Sequence, residues 1–336
     1  MRRLFYEAKS YHQSWFLSRH WSLSFALATC SLASGFKLAK SYDASNWFDS
    51  FTYHNRDDPI HGTVDYVNLT DAQNLGLTKI VNGQVYMGAD SQSVVPSNSR
   101  GRKSIWVTSK EDFNHGLLVG DFAHVPASDC GVWPGFWAIR EELNAPYGEI
   151  DILEYFSDSP HGYITLHSDP KLPDCVFKQS SYGQTGEVNQ GSTSCSGDIG
   201  CSTVGPDNGA GTGFNAAQGG VYAMDWTSEY IKIWHFARSE VPADITAGTP
   251  NPSKWRLPNA NFASNDGGCD LDSNFPPQTI YFDTTFCGSM AGGKGWTDWS
   301  DCSKKTGVPT CDEFVRKHPE AFHNAYWLVN SVKIYQ

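Results

Sequence analysis

Charge is scarce in this chain of 336 residues, where Asp, Glu, Lys and Arg together make up only 18%. Long apolar runs are missing too: beyond the first 35 residues no segment reaches the roughly 18 apolar positions that a membrane-spanning helix requires. No proline-rich or charged linker divides the chain, no internal repeat recurs, and amphipathic helical patterns are few. Cysteine never occurs as CxxC and no His pair accompanies the thiols, which argues against zinc. A DxDxDG calcium loop is absent as well. Basic residues are outnumbered 25 to 36, for a net charge of −11. Nucleic acid and anionic membrane surfaces are polyanions that such a chain repels, so neither is expected as a partner. A neutral polymer is indifferent to that charge.

What is abundant is aromatic residues, at 14%, and glycine, at 31 positions. This composition suits many short strands joined by turns. Strand-like runs recur at Gly62 to Val67, Gln84 to Met87, Ser104 to Thr108, Gly116 to Phe122, Phe136 to Ile139, Glu149 to Tyr155, Tyr163 to His167, Gly220 to Asp225, Tyr230 to Phe236, Thr279 to Thr284 and Val332 to Tyr335. The pattern predicts an all-β, two-sheet antiparallel sandwich. Ser180 to Gly220, rich in Gly, Ser, Thr and Asn, reads as a long loop region. Cys311 to Lys317 carries the best helix signal, with acids early and bases late.

The first 35 residues differ from the rest of the chain. Arg2, Arg3, Lys9 and Arg19 precede a moderately apolar run, Trp21 to Ala33, that ends in Ala33-Ser34-Gly35. This reads as a cleaved secretory leader, with a signal anchor as the competing reading. Its removal would leave one domain over residues 36–336 with a net charge of about −14. Eight cysteines remain beyond it, an even set that predicts four disulfides in an exported protein. Connectivity is open, although Cys195 and Cys201 are near enough to close a small loop. Asn68-Leu69-Thr70 is a glycosylation sequon.

Against this background Gly148-Glu149-Ile150-Asp151-Ile152-Leu153-Glu154-Tyr155-Phe156 is conspicuous, because it sets three carboxylates among core-type residues. In a regular strand Glu149 and Asp151 share a face while Glu154 points to the other. A β-bulge at Ile152-Leu153, adjacent apolar residues that break the alternation, would bring Glu154 round to join them. Retaining glycoside hydrolysis needs two carboxyl groups about 5–5.5 Å apart. Glutamates four effective steps apart on a strand are roughly 13 Å apart at Cα, so their side chains would have to lean inward over a curved sheet. Asp151 between them disfavours ionisation of all three and can hold one Glu protonated or orient the other. A solvated strand face and a calcium site are the competing readings of the same row.

These residues resemble the ExDxxE signature of glycoside hydrolase family 16, in its bulged, laminarinase-like branch. The resemblance extends to Gly131-Val132-Trp133-Pro134-Gly135-Phe136-Trp137, Thr165-Leu166-His167, Gly213-Phe214-Asn215, Tyr222-Ala223-Met224-Asp225-Trp226, Ile231-Lys232-Ile233-Trp234 and Phe286-Cys287-Gly288, in order across residues 40–336. It implies a β-jelly-roll, concanavalin-like, with an open cleft on its concave sheet, and retaining endo-hydrolysis of β-1,3 or mixed β-1,3/1,4 glucan by a secreted monomer. Carried over by position, Glu149 is the nucleophile, Glu154 the general acid/base and Asp151 the helper. His167 is expected beside the carboxylates. Trp133 and Trp137 are expected to stack on sugar, and Arg102, Asn215 and Trp226 to contact it. No cofactor or metal is implied. The chain departs from the family pattern at Leu143-Asn144-Ala145-Pro146-Tyr147, where Trp-Pro is usual, at Met290 in place of a Trp, and at Tyr155 in place of a Gly. The same fold would also serve a cell-wall glucan transglycosylase, or a glucan-binding lectin, although a lectin has no use for buried, mutually repelling carboxylates.

Overall fold

The computed structural model describes residues 35–140, 148–177, 183–197, 199–264 and 268–336. The secretory leader and the Leu143 to Tyr147 departure lie outside these residues. Strand Val132–Ile139 shows how sequence becomes layer: Val132, Pro134, Phe136 and Ala138 are buried, while Trp133, Trp137 and Ile139 alternate with them on a half-exposed face. One face enters a core and the other is free to line a site.

Two eight-stranded sheets are built this way. In the site-bearing sheet the order is Glu187–Val188, Cys201–Val204, Tyr163–His167, Glu149–Glu154, Val132–Ile139, Thr279–Phe286, Trp106–Ser109 and Phe51–Tyr53, all antiparallel. The other sheet runs Ala260–Ala263, Tyr230–Ala237, Gly220–Trp226, Gly116–His124, Tyr326–Tyr335, Gln84–Gly88 and Thr78–Val81, with Leu38–Tyr42 also pairing Tyr326–Tyr335. Aromatic side chains join the layers. Phe136 stacks on Phe282 at 4.7 Å within the site-bearing sheet, and Phe122 and Trp327 of the opposite sheet meet them edge-on at 5.1 and 5.3 Å. All four rings are buried, each contributing about 2–3 kcal/mol of transfer free energy.

Most of the expected strands form, several of them longer than the sequence suggests, such as Val132–Ile139 and Tyr326–Tyr335. Gly62 to Val67 does not join the sandwich. Its Val64–Tyr66 portion pairs in parallel with Arg102–Ser104 in a separate two-stranded sheet. Within the expected loop of residues 180–220 the described residues include strands Cys201–Val204 and Glu187–Val188, which extend the site-bearing sheet beyond Tyr163–His167, and helix Gly211–Ala216. Helix Cys311–Lys317 forms as read, capped by Thr310, whose side chain accepts from the Glu313 amide at 3.3 Å. Four disulfides link Cys130 to Cys302, Cys175 to Cys269, Cys195 to Cys201 and Cys287 to Cys311. Among the described residues no helix is long and apolar enough to cross a membrane.

Candidate active site

The carboxylate strand carries the bulge that its apolar pair predicts. Asp151 pairs with Trp137 and Leu153 with Phe136, so Ile152 and Leu153 advance the strand by a single step of its neighbour. Both are fully buried. The extra residue turns Glu154 to the face that holds Glu149 and Asp151, and all three line one cleft of about 130 Å³. Pairing then sets the neighbours, since Glu149 lies opposite His167 on one side and Glu154 opposite Gly135 on the other.

Each acidic group has a distinct environment. Trp133 Nε1 donates to Glu154 Oε1 at 2.7 Å. His167 Nε2 lies 3.4 Å from Asp151 Oδ2, and His167 Nδ1 donates to the Gly197 carbonyl at 3.1 Å. The loop closed by Cys195–Cys201 seats this imidazole, because a Cβ on Gly200 would lie 2.8 Å from its ring. Burial, then the charge of Asp151, pushes Glu149 up to about 8, although the His167 charge opposes the rise. Burial also raises Asp151, to about 6, against the hydrogen bond from His167. Glu154 is raised by burial and drawn back by the Trp133 hydrogen bond. For His167, burial works downward, but the hydrogen bond and charge of Asp151, with Glu149 behind it, lift it to about 10. Both ring nitrogens therefore carry protons at neutral pH, and the Glu149–Asp151 pair retains one proton between them.

The structure brings Trp133 and Trp137 to the cleft as expected, on one face of their strand. It does not bring three of the sequence-derived sugar contacts. Arg102 is fully buried, with its guanidinium donating to the carbonyls of Val315, Asp90 and Ser93 and lying 4.7 Å over Phe322. It ties loops together and is spent before any substrate arrives. Trp226 is fully buried in the opposite sheet, edge-on to Phe113 and His115. Asn215 clasps the Val125 backbone, accepting from its amide at 2.9 Å and donating to its carbonyl at 2.8 Å. In exchange the cleft holds residues that the motifs did not flag: Asp58, Tyr66, Trp106 and Asp283. Asp283 had a legible signal, as the sole charged residue of the apolar strand Thr279–Phe286. Among the described residues, one group has metal-ligand spacing, Cys130, Asp158 and Cys302, but its two thiols are joined as a disulfide.

Comparison with known families gives this geometry its context. The model described as an XgeA-like, catalytic GH16 domain matches residues 51–335. The chain belongs to glycoside hydrolase family 16. It is 38% identical over 307 residues to a probable endo-1,3(4)-beta-glucanase of Aspergillus clavatus, which covers 90% of this chain and 46% of that protein. An endo-1,3(4)-beta-glucanase of Emericella nidulans is 37% identical over 309 residues, or 90% of this chain and 48% of the relative. The chain thus spans about half the length of these curated relatives. Among solved structures, an elongating family 16 beta-1,3-glucosyltransferase superposes with a TM-score of 0.81 at 36% identity, covering 90% of this chain and all of that one. Laminarinase 16A of Phanerochaete chrysosporium, with 6-O-glucosyl-laminaritriose in donor and acceptor sites, gives 0.80 at 32% identity with the same coverage. Both share the jelly-roll architecture found here. Of the two described departures from the family 16 pattern, Met290 is partly exposed in the short helix Gly288–Ala291 that follows the Thr279–Phe286 strand. Tyr155 does not line the cleft. It is buried, and its hydroxyl donates to the Pro126 carbonyl.

Proposed function

We propose that the chain is a secreted, monomeric endo-β-glucanase that hydrolyses β-1,3 and mixed β-1,3/1,4 glucans with retention, using a single catalytic domain over residues 36–336. The observation that carries this reading is the bulge at Ile152, which sets Glu149, Asp151 and Glu154 side by side in one cleft. Glu149 attacks the anomeric carbon as the glycosidic bond breaks, and Glu154 gives its proton to the leaving oxygen. The indole N–H of Trp133 stabilises the carboxylate so formed. Glu154 then takes a proton from water, whose oxygen displaces Glu149. Asp151, whose charge raises Glu149, shares one proton with the nucleophile, and His167 stabilises the pair's remaining negative charge. Trp133 and Trp137 supply aromatic surface for pyranose rings, whose C–H faces are apolar. The acidic cleft suits a neutral glucan, and the four disulfides suit an oxidising extracellular compartment.

A second reading is favoured by one finding, the 36% identity to an elongating glucosyltransferase. In that case a sugar hydroxyl replaces water in the second step. Proton NMR and chromatography of products from laminarin, lichenan, cellulose and a β-1,6 glucan test both readings. Early β-anomeric oligosaccharides that vanish in Glu149→Gln support retaining hydrolysis. Products longer than the donor point to transfer, and no new product from any glucan refutes both.

A further inference from the structure

The end of the carboxylate strand and the start of the Trp133 strand are joined by a clamp that the three-carboxylate chemistry does not use. The register that sets Glu154 opposite Gly135 continues to Ser157, whose amide donates to the Val132 carbonyl at 2.7 Å. The Ser157 side chain closes the clamp, because the Gly131 amide donates to Ser157 Oγ at 3.2 Å. Ser157 is fully buried and its backbone is left-handed, with φ at 49°. Glycine makes such a turn without steric cost, whereas serine does not. What serine adds is an acceptor, without which the buried Gly131 N–H would lose this partner. The flanks of the clamp are fixed as well. Asp158 pairs with Lys305 and Cys130 is bonded to Cys302, both partners lying on helix Cys302–Thr306. The Gly131 carbonyl accepts from the Cys287 amide at 2.9 Å.

We propose that Ser157 is a positioning residue for the general acid, its amide and hydroxyl holding the Trp133 strand where the indole reaches Glu154. The proposal rests on the glucanase reading above and adds to it a residue outside the cleft lining. Trp133 follows directly on Val132, so the backbone that carries the indole is the backbone that Ser157 ties down. The ring is also hemmed in by Gly288, where a Cβ would lie 3.2 Å from Trp133 Cζ3. Trp133 Nε1 meets Glu154 Oε1 at 2.7 Å, and a bond this short weakens when the indole shifts or tilts. Glu154 is raised by burial and held back by this bond, while the charges of His167 and Glu149 act on it in opposite directions. Asp151 and Asp283 face it too. Slackening the clamp lengthens the indole contact and lets Glu154 rise, with no charge around it removed.

Ser157→Ala removes the hydroxyl and keeps the strained Cβ, and Ser157→Gly removes both. In each variant the Trp133 indole proton is followed by NMR of protein labelled with 15N-tryptophan, its resonance assigned by its loss in Trp133→Phe. Kinetics on laminarin and on an activated aryl laminarioside are measured across pH alongside. Both variants should move the indole resonance upfield and carry the alkaline limb of kcat/KM to higher pH. On laminarin kcat should fall about fivefold, the size of one weakened hydrogen bond, with KM within about twofold of the parent and release of the aryl group unchanged. A parental resonance and alkaline limb in Ser157→Ala would overturn the proposal. So would parental behaviour in Ser157→Gly, since the turn alone would then suffice. Equal losses on the two substrates with a lowered melting temperature and an unmoved resonance would also overturn it, marking Ser157 as structural only. The resonance needs no turnover, so a parent that cleaves no glucan would refute the glucanase reading while the indole shift still tested the clamp.

Discussion

Replacing Trp133 with Phe keeps an aromatic ring at the cleft and removes one atom group, the N–H that Glu154 Oε1 accepts at 2.7 Å. The bond is short, half-buried and charge-assisted whenever Glu154 is ionised, which places its worth at about 1.5–3 kcal/mol. Its value rises along the first chemical step, because Glu154 becomes negative only as its proton leaves. The loss should therefore fall on kcat, by about tenfold to a hundredfold on laminarin at the pH optimum. An activated aryl laminarioside offers a control. Its leaving group departs without protonation, so glycosylation of Glu149 should be nearly unaffected by the substitution. The pH profile gives a second readout: the indole hydrogen bond holds Glu154 down against its burial, so removing it raises Glu154 further and carries the alkaline limb of kcat/KM to higher pH. Pre-steady-state release of the aryl group and steady-state rates on laminarin, both across pH, supply these numbers. Equal losses on the two substrates with an unmoved alkaline limb would refute the assignment of Glu154 as the acid and of Trp133 as its partner.

Other consequences can be measured in the same system. His167 lowers Glu149, Asp151 and Glu154 through its charge, so His167→Asn should raise all three and move both limbs of the kcat/KM profile to higher pH; a static or downward profile would count against the pairing with Asp151. Arg102→Met should destabilise the fold by about 3 kcal/mol or more in denaturant unfolding, by stranding the buried carbonyls of Val315, Asp90 and Ser93, while laminarin KM stays at the parental value. Paired Cys→Ser changes at Cys195 and Cys201 open a loop of sequence separation 6, and those at Cys130 and Cys302 one of 172. Loop entropy predicts losses of about 2 and about 5 kcal/mol respectively, yet the smaller loop seats His167, so its opening should shift the pH profile and the larger one should not.

The site was legible where local chemistry conflicted with local pattern. Carboxylates amid core residues, and adjacent apolar residues at Ile152 and Leu153 where alternation called for one, are contradictions visible in nine residues, and the bulge resolves both. Asp283 presents the same contradiction in weaker form, a lone acid in an apolar strand, but with no second acid beside it to suggest a purpose. Arg102 could not be placed from its own neighbourhood, because its guanidinium is shared between the nearby Asp90 and Ser93 carbonyls and one 213 positions away, that of Val315. Trp226 misleads for a related reason: all seven residues of Gly220–Trp226 are buried, so alternation carries no information about which face meets a core and which a ligand. The strands that escaped notice, such as Phe51–Tyr53 and Ala260–Ala263, are short edge strands with little periodicity to detect.

The surplus residue at Ile152 works as a phase shift. Every side chain after it in the strand points opposite to where an uninterrupted alternation would send it, so the direction of Glu154 is decided by a count of residues and by nothing in the cleft. That count is enforced from behind, where Ile152 and Leu153 are both locked in the core. The chemistry on one side of the sheet is therefore held in register by grease on the other. Deleting or inserting one residue there would not weaken the site by degrees; it would aim a carboxylate into the core or Leu153 into the cleft. Variation in this strand is then open to changes of side chain and closed to changes of length.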